Sequence, residues 1–327
     1  MKNHILDETA AGRELSESDI RTVCEFLLDD SNPVGDRAEF LQVLHKRGET
    51  PGEIAGFVNV LLERAVPLPF PGTGCIDVCG TGGDGAGFFN VSTAVMFVVA
   101  ACGVRVVKHG NRAITSRSGG ADALDALGIR SDLGPEKAAK ALETAGCCFL
   151  FAPAFHPAYK AVKPVRELMA LAGETSIFNL LGPLLNPAKP EFQLAGVADP
   201  ANLDAYAATF ALLGRRRAWA VHGTGPGGLR IDEVSPLGTT RVIAVESGSR
   251  GEFTIEPANL GLPPLSPAHF AGGDSKENAA IIADILAGNL RDGPRQIVLL
   301  NAAAALAVAG TAPDLREIGR ASCRERV

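Results

Sequence analysis

Closely spaced glycines and one acidic residue follow a short apolar strand near residue 80. The segment 75–93 reads CIDVCGTGGDGAGFFNVST, and an apolar helix follows it directly. Glycine lets a backbone approach a ligand closely, and the start of a helix offers unpaired N–H groups and the positive end of the helix dipole. The segment therefore predicts a phosphate-binding loop, although the same pattern also fits a tight turn without a ligand. Asp84, directly after the glycines, indicates a metal ion or a sugar hydroxyl beside the phosphate.

A second loop with cations and hydroxyls follows another apolar strand. The segment 104–120 reads VRVVKHGNRAITSRSGG, and a short helix is expected to follow it. Cations supply charge for a polyanion, while hydroxyls and backbone amides fit the geometry of its oxygens. The GxxxxGK[ST] pattern of nucleotide hydrolases does not occur in the chain. The residues that suit a polyanion are Lys108, Arg112, Thr115, Ser116, Arg117 and Ser118.

A third loop carries two adjacent acids. Asp232 and Glu233 lie within the glycine- and proline-rich segment 223–236. Carboxylate oxygens suit Mg²⁺, which commonly binds through one or two carboxylates together with substrate phosphates. The pair therefore predicts a metal-binding loop, or else an acidic pair that is merely solvated.

These motifs together resemble those of the anthranilate phosphoribosyltransferases, over nearly the whole chain, from about Glu14 to about Ala312. The resemblance implies transfer of a phosphoribosyl group from phosphoribosyl pyrophosphate to anthranilate in tryptophan synthesis. It also implies Mg²⁺, two ions per subunit, and a cytoplasmic homodimer. The matching strings are GTGGD at 80–84, NVST at 90–93, KHGNR at 108–112, SGGAD at 118–122, FNLLGPLLNPA at 178–188 and DEVSP at 232–236.

The resemblance assigns site residues by their positions in these motifs. Phosphoribosyl pyrophosphate binding is matched to Gly80, Gly83, Asp84, Asn90, Val91, Ser92, Thr93, Lys108, His109, Gly110, Asn111, Arg112, Ala113, Ile114, Thr115, Ser116 and Gly120. Anthranilate binding is matched to Gly80, Asn111 and Arg166, and Mg²⁺ binding to Ser92, Asp232 and Glu233. No residue is assigned as a general acid or base. His109 and His156 are expected either to help position anthranilate or to bond the backbone.

The chain departs from the family pattern at several places. Phe88 stands where threonine is expected, so a hydroxyl donor is replaced by a large ring. The segment 166–178 is about three residues longer than usual, and Glu167 stands where a second arginine is expected. The metal loop contains the unusual run GPGG at 225–228. The tail 319–327 does not resemble the family's closing helix, which predicts a non-native tail and lower stability.

Composition limits the other function classes. The chain has 327 residues, 46% hydrophobic and 21% charged, which is typical of a soluble globular protein with a large core. Its net charge of −6 argues against binding to nucleic acid or to an acidic membrane. No secretory signal and no membrane-spanning apolar run are recognised. The seven scattered cysteines predict buried thiols and a reducing cytoplasm.

The element pattern predicts an α/β protein with a small helical domain at residues 1–70. Ser16 and Thr50 are predicted helix N-caps, and Pro51 a first helical residue. From residue 72 to 327, alternating strands and helices predict a larger α/β domain with a mainly parallel sheet flanked by helices, and the resemblance implies that this domain binds the phosphoribosyl group. The resemblance implies that a segment near 160–185 rejoins the helical domain. The predicted strands are 75–79, 104–108, 147–152, 192–197 and 217–222, and the last predicted helices are 276–288 and 294–309.

Two other functions compete with the transferase. A nucleoside phosphorylase of similar fold would bind phosphate and ribose but would not need the acids at 232–233. A non-enzymatic nucleic-acid-binding relative would show a basic surface and would lose the motifs. The acidic net charge and the retained motifs favour the transferase.

Overall fold

The computed structural model describes residues 2–113, 117–262 and 265–311. The predicted site residues Ile114, Thr115 and Ser116 therefore lie outside the described residues, as does the tail 319–327. No helix within the described ranges is long and apolar enough to cross a membrane.

Four helices open the chain, in the region where the sequence predicts a helical domain. Ser16 caps the second of them by accepting a hydrogen bond from the Asp19 N–H, and Thr50 caps the fourth in the same way through Glu53. Each pair forms a capping box, in which the third helical residue also accepts from the cap's own N–H. The predicted caps are therefore confirmed. The helices are Lys2–Ala10 (α1), Glu17–Leu28 (α2), Val34–Arg47 (α3) and Pro51–Glu63 (α4).

The rest of the described chain alternates strands and helices. The strands are Cys75–Val78 (β1), Arg105–Gly110 (β2), Cys147–Phe151 (β3), Phe192–Gly196 (β4), Arg217–Gly225 (β5), Leu229–Ile231 (β6), Thr240–Glu246 (β7) and Ser249–Ile255 (β8). The helices are Val91–Ala101 (α5), Gly120–Ala126 (α6), Pro135–Ala145 (α7), Ala152–Phe155 (α8), Lys163–Leu171 (α9), Ile177–Leu181 (α10), Leu203–Leu212 (α11), Ser275–Leu286 (α12) and Pro294–Ala309 (α13).

All eight described strands form one sheet in the order β3-β2-β1-β4-β5-β7-β8, with β6 paired to β5. The first five in this order are parallel, which confirms the prediction of a mainly parallel sheet. Strands β2 and β3 lie beyond β1 on one side, and strands β5, β7 and β8 lie beyond β4 on the other. The carboxyl ends of β1 and β4 therefore flank the switch point where α/β proteins bind ligands.

The antiparallel hairpin β7–β8 extends the sheet and was not predicted. Glu246 pairs with Ser249, so only Ser247 and Gly248 form the turn. Both turn residues have positive φ, 47° and 85°, as the tight turns of twisted hairpins require. The Ser-Gly pair between two β-rich runs was the signal available in the sequence.

Two large apolar cores cover the faces of the sheet, and a smaller one packs α7 against β2 and β3. On one face, helices α2, α3 and α4 share a core with α9, α10 and α11 and with residues of β4, β5 and β7. On the other face, α5, α6, α12 and α13 pack together. The domain division itself stays a prediction, and the packing of α9 and α10 among the first helices supports it. The carboxyl edge of β1 lies between these two layers.

Candidate functional site

The glycine-rich loop and the acidic loop meet at the switch point. The Gly82 N–H donates to Asp232 Oδ2 at 2.7 Å, and the Asp232 N–H donates to Asp84 Oδ2 at 3.3 Å. A Cβ at Gly80 would collide with the Asp232 carboxylate, and one at Gly196 would collide with the Asp232 carbonyl. Glycine is therefore required at both positions for the two loops to touch.

Acidic groups crowd together in this contact. Burial, followed by the charge of Asp84, raises the pKa of Asp232 to about 7. Burial and then the charge of Asp232 raise the pKa of Glu233 well above its usual range, while Lys108 and the Ser92 N–H oppose the rise. Like charges that share a poorly solvated site repel one another, so a cation between them lowers the free energy of the site.

The donor set fits Mg²⁺ that is shared with a substrate phosphate. Asp232 and Glu233 offer carboxylate oxygens, and Ser92 offers a hydroxyl at the start of α5. Among the described residues, no group of three or more His, Cys, Asp or Glu side chains is placed to bind a metal ion on its own. Mg²⁺ commonly binds through one or two carboxylates and takes its other ligands from water and phosphate. Two carboxylates and one hydroxyl are therefore compatible with Mg²⁺ binding.

Lys108 and Asn301 hold these groups in place. The buried Lys108 Nζ donates to the Val78 carbonyl at 2.6 Å and to Ser92 Oγ at 3.0 Å. Asn301 on α13 accepts from the Val234 N–H at 2.8 Å and donates back to the Val234 carbonyl at 2.9 Å. Sequence reasoning missed Asn301, because its partner is 67 residues away and only the fold brings them together.

The start of α5 is tied to the second loop and to α12. The Asn90 Nδ2 donates to the Ser118 carbonyl at 3.0 Å. Its Oδ1 accepts from Ser118 Oγ at 3.1 Å and from Asn278 Nδ2 at 2.9 Å. The Asn90 side chain thus joins three elements, while the N–H groups of Val91 and Thr93 donate to the carbonyls of Phe89 and Asn90 at 2.7 and 3.1 Å. Thr93 Oγ1 is buried and has no hydrogen-bond partner among the described residues.

Arg112 is engaged with acids of the chain itself. Its guanidinium pairs with Asp122 at 2.9 Å and with Asp125 at 2.7 Å. Asp122 also accepts from the N–H groups of Ala113 at 2.8 Å and Gly119 at 3.0 Å. The structure thus places Arg112 where it braces both ends of the second loop. The motif assigned Arg112 to phosphate binding, and the spacing does not reveal these two carboxylate partners.

Asn111 lies exposed at the mouth of the site, next to Gly110. Its Oδ1 accepts from the Arg112 N–H at 2.8 Å, which leaves the Nδ2 donor directed at no described residue. A Cβ at Gly110 would come within 2.8 Å of the Phe149 ring. Gly110 is therefore a packing requirement, and Asn111 presents an exposed polar side chain directly after it.

The two histidines bond the backbone, which was one of their two predicted roles. His109 Nδ1 lies 3.1 Å from the Gly182 carbonyl, and His156 Nε2 lies 2.7 Å from the Leu185 carbonyl. The two rings meet edge to face with centroids 5.3 Å apart. Burial and the neighbouring His156 lower the pKa of His109 to about 3. His109 is therefore neutral near pH 7, with Nε2 buried and without a partner among the described residues.

A buried carboxylate under the second loop was also missed by the sequence analysis. Asp77 on β1 accepts from the His109 N–H at 3.2 Å and from Asn186 Nδ2 at 2.8 Å. Asn186 also donates to the Val107 carbonyl at 2.7 Å. Burial raises the pKa of Asp77 to about 6, and Lys108 and Asn186 oppose the rise. This network joins β1 and β2 to the end of the segment 178–188.

Arg166 projects from α9 on the helical side of the cleft. Its guanidinium carbon lies 6.0 Å from the centre of the Tyr159 ring, and no ion pair with a described residue holds it. Glu167, which replaces the expected second arginine, pairs with Lys163 at 3.7 Å. Arg166 is thus the cation of this helix that remains for an anionic ligand.

Two family models match the chain. A glycosyl transferase family helical bundle domain matches residues 3–65, and the α/β domain of the same family matches residues 72–326. The anthranilate phosphoribosyltransferase of Methylorubrum populi is 44% identical over 316 residues, which cover 97% of this chain and 91% of that protein. The enzyme of Moorella thermoacetica is 42% identical over 313 residues, 95% and 90% of the two chains.

Solved structures agree with these relatives. The crystal structure of anthranilate phosphoribosyltransferase from Thermus thermophilus gives a TM-score of 0.86 at 38% identity, covering 97% of this chain and 92% of that one. The Saccharomyces cerevisiae enzyme in complex with PRPP and Mg gives a TM-score of 0.81 at 28% identity, covering 94% and 88%. Neither alternative function, the phosphorylase or the nucleic-acid-binding relative, is favoured by these matches.

We predict that Asn186→Ala destabilises the protein more at pH 8 than at pH 5. The folded-state pKa of Asp77, about 6, exceeds its ordinary value, so stability falls as pH rises through 6 and Asp77 ionises. Asn186 donates to the ionised carboxylate, and its loss adds about 1.5–3 kcal/mol to that fall. Urea unfolding at both pH values measures the difference.

Asn289→Ala is the matched control, because the Asn289 side chain bonds the exposed Asp284. It should leave the pH dependence of the free energy of unfolding as in the parent protein. A stability loss for Asn186→Ala that is equal at pH 5 and pH 8 would contradict the role given to Asp77.

Proposed function

The chain belongs to the anthranilate phosphoribosyltransferase family, and we propose that its glycine-rich loop and acidic loop together carry out the reaction of that family. The reaction transfers the phosphoribosyl group of 5-phosphoribosyl 1-pyrophosphate to the amine of anthranilate. The products are N-(5-phosphoribosyl)anthranilate and pyrophosphate, in the second step of tryptophan synthesis from chorismate. The contact of Asp232 with Gly82 is the observation that carries the proposal, because it joins a phosphate loop to a metal-binding acid.

The phosphoribosyl pyrophosphate lies, in this proposal, along the carboxyl ends of β1 and β2. The loop from Gly80 to Asp84 follows β1, and the loop after Lys108 follows β2. Backbone N–H groups in the glycine-rich loop and hydroxyl side chains at the start of α5 bind phosphate oxygens. Mg²⁺ held by Ser92, Asp232 and Glu233 would supply positive charge that neutralises the departing pyrophosphate.

The ribose carbon becomes cation-like as pyrophosphate leaves, and the aromatic amine attacks from the opposite side with inversion. The protein's contribution is to orient the two substrates and to exclude water. Arg166 binds the anthranilate carboxylate through its planar guanidinium, since no described acid competes for it. Asn111 and the Gly80 backbone complete that site. His109 is neutral and cannot act as a cationic acid near pH 7.

The assembly and surroundings of the protein are part of the same proposal. Two Mg²⁺ per subunit are supported by acids on two separate loops, Asp84 on one and the pair 232–233 on the other. A homodimer is supported by Leu168 and Leu171, which are 44% and 88% exposed on α9. A cytoplasmic location is supported by the free thiols of Cys24, Cys75, Cys79, Cys147 and Cys148.

We predict that turnover requires Mg²⁺ and both acids of the metal loop. The decay of anthranilate fluorescence with phosphoribosyl pyrophosphate should stop in EDTA and return when Mg²⁺ is added. The double variant Asp232→Asn, Glu233→Gln should lose at least about a hundredfold in kcat/KM, since the pyrophosphate is left without its counter-charge.

The matched control is Asp132→Asn, Glu143→Gln, which removes the same charge from side chains that are 57% and 72% exposed. It should retain the parent activity. Full activity of the Asp232, Glu233 double variant in EDTA would contradict the assignment of the metal loop. No activity in the parent protein with Mg²⁺ would contradict the proposed function.

We further predict that Lys108→Met and Arg166→Met act on different substrates. Lys108 braces Ser92, so its loss should raise KM for phosphoribosyl pyrophosphate. Arg166 lies in the proposed anthranilate site, so its loss should raise KM for anthranilate. Each charge-assisted contact is worth about 1.5–3 kcal/mol, or on the order of ten- to a hundredfold in KM.

Steady-state kinetics with each substrate varied in turn measures this split. Lys163→Met is the control on α9, because Lys163 is 77% exposed and pairs with the exposed Glu167. Unchanged anthranilate kinetics in Arg166→Met would show that another group of the longer 166–178 segment binds the carboxylate.

A further inference from the structure

Phe88, which stands in place of the expected threonine, joins the glycine-rich loop to a distant segment. Phe88 forms an isolated antiparallel bridge with Ala271. The Phe89 N–H donates to the Phe270 carbonyl at 3.0 Å, and the Gly272 N–H donates to the Gly87 carbonyl at 2.8 Å. The far end of the loop is therefore bonded to the backbone that leads into α12.

The Phe88 ring strengthens the same junction. Its centroid lies 5.3 Å from that of Phe270, with the rings tilted by 57°, a favourable geometry for an aromatic pair. Phe270 is completely buried in the core beneath α12 and α13. The ring thus packs against a fully buried partner in a core that contains no residue of α1, α2, α3 or α4.

The segment that receives Phe88 is itself held firmly. Asn278 on α12 accepts from the Gly273 N–H at 2.7 Å and donates to Asn90 Oδ1 at 2.9 Å. Asn90 precedes the first turn of α5, which directly follows the glycine-rich loop. The end of the glycine-rich loop is therefore bonded to the segment that contains Phe270. The start of α5 is bonded to the same part of the chain through Asn278.

Between its two anchors the loop has few means of holding a conformation. Gly82, Gly83, Gly85 and Gly87 all have positive φ, between 66° and 78°. Glycine loses the most conformational freedom when it is ordered, so an unanchored loop of this kind would sample many conformations. The contact of Gly82 with Asp232 fixes its beginning, and the Phe88 junction fixes its end.

We propose that Phe88 is a positioning residue for phosphoribosyl pyrophosphate, and that it acts by packing the glycine-rich loop into its binding conformation before the substrate arrives. A phenylalanine ring has no hydrogen-bonding group, so residue 88 of this chain gives the substrate no hydroxyl contact. Its contribution is instead a smaller ordering cost on binding. This inference rests on the proposed function of the loop.

The first experiment removes the ring. Phe88→Ala should raise KM for phosphoribosyl pyrophosphate roughly tenfold, with kcat and the KM for anthranilate nearly unchanged. Amide hydrogen exchange in residues 80–90 should become faster, and Phe88→Leu should fall between the two. Phe253→Ala is the matched control, because Phe253 pairs with Trp219 at 5.1 Å on the distant hairpin. It should change neither the kinetics nor the exchange of the loop.

The second experiment moves the backbone of the junction and keeps the ring. A Cβ at Gly272 would lie 2.7 Å from Phe89 N and Cα, so Gly272→Ala must push the two segments apart. It should reproduce the higher KM for phosphoribosyl pyrophosphate and the faster exchange of residues 80–90. The double variant Phe88→Ala, Gly272→Ala should change the binding free energy by less than the sum of the two single variants, because both substitutions break the same junction.

Three results would overturn the inference. The first is an active parent enzyme whose KM for phosphoribosyl pyrophosphate is the same in Phe88→Ala. The second is a Phe88→Thr variant that binds this substrate more tightly than the parent, which would show that a hydroxyl matters more than packing. The third is unchanged loop exchange in both Phe88→Leu and Gly272→Ala. An inactive parent enzyme would instead contradict the proposed function, and the exchange experiment would still test the junction.

Discussion

The contact between two acidic loops at the carboxyl edge of β1 is the constraint on which the site depends. Asp84, Asp232 and Glu233 converge there, and burial together with mutual repulsion raises the pKa of the last two. Such an arrangement is unfavourable unless a cation and its anionic ligand complete it. Under the proposed function, the same repulsion that costs stability in the free protein provides affinity for a metal-bound pyrophosphate, so binding and stability oppose each other at this edge.

Several other features follow from that contact. Glycine at 80 and 196 is needed because any side chain would hold the loops apart. Lys108 brings a buried cation toward the acids and also holds Ser92, while Asn301 fixes the acidic loop to α13. Around this centre the glycine-rich loop and the second loop are braced from outside by the Phe270 segment and by Asp122. Under the proposed function, the substrate meets loops that are already ordered, and binding energy is not spent on ordering them.

Local signals in the sequence predicted the helix caps, the parallel strands and the loops that follow them, because those features depend on neighbouring residues. The sequence did not reveal features that depend on residues brought together from far apart. Asp77 and Asn186 are 109 residues apart. The ion pairs of Arg112 with Asp122 and Asp125 on the next helix were not predicted either. The hairpin β7–β8 was missed although its Ser-Gly turn is a local signal.

Calorimetry with and without Mg²⁺ measures whether the two acidic loops bind phosphoribosyl pyrophosphate through a shared cation. If they do, Mg²⁺ and the substrate must each strengthen the binding of the other by the same factor. We expect much tighter binding with Mg²⁺ in the parent protein, and no such enhancement in the Asp232→Asn, Glu233→Gln variant. Equal affinity in Mg²⁺ and in EDTA for the parent protein would contradict this expectation.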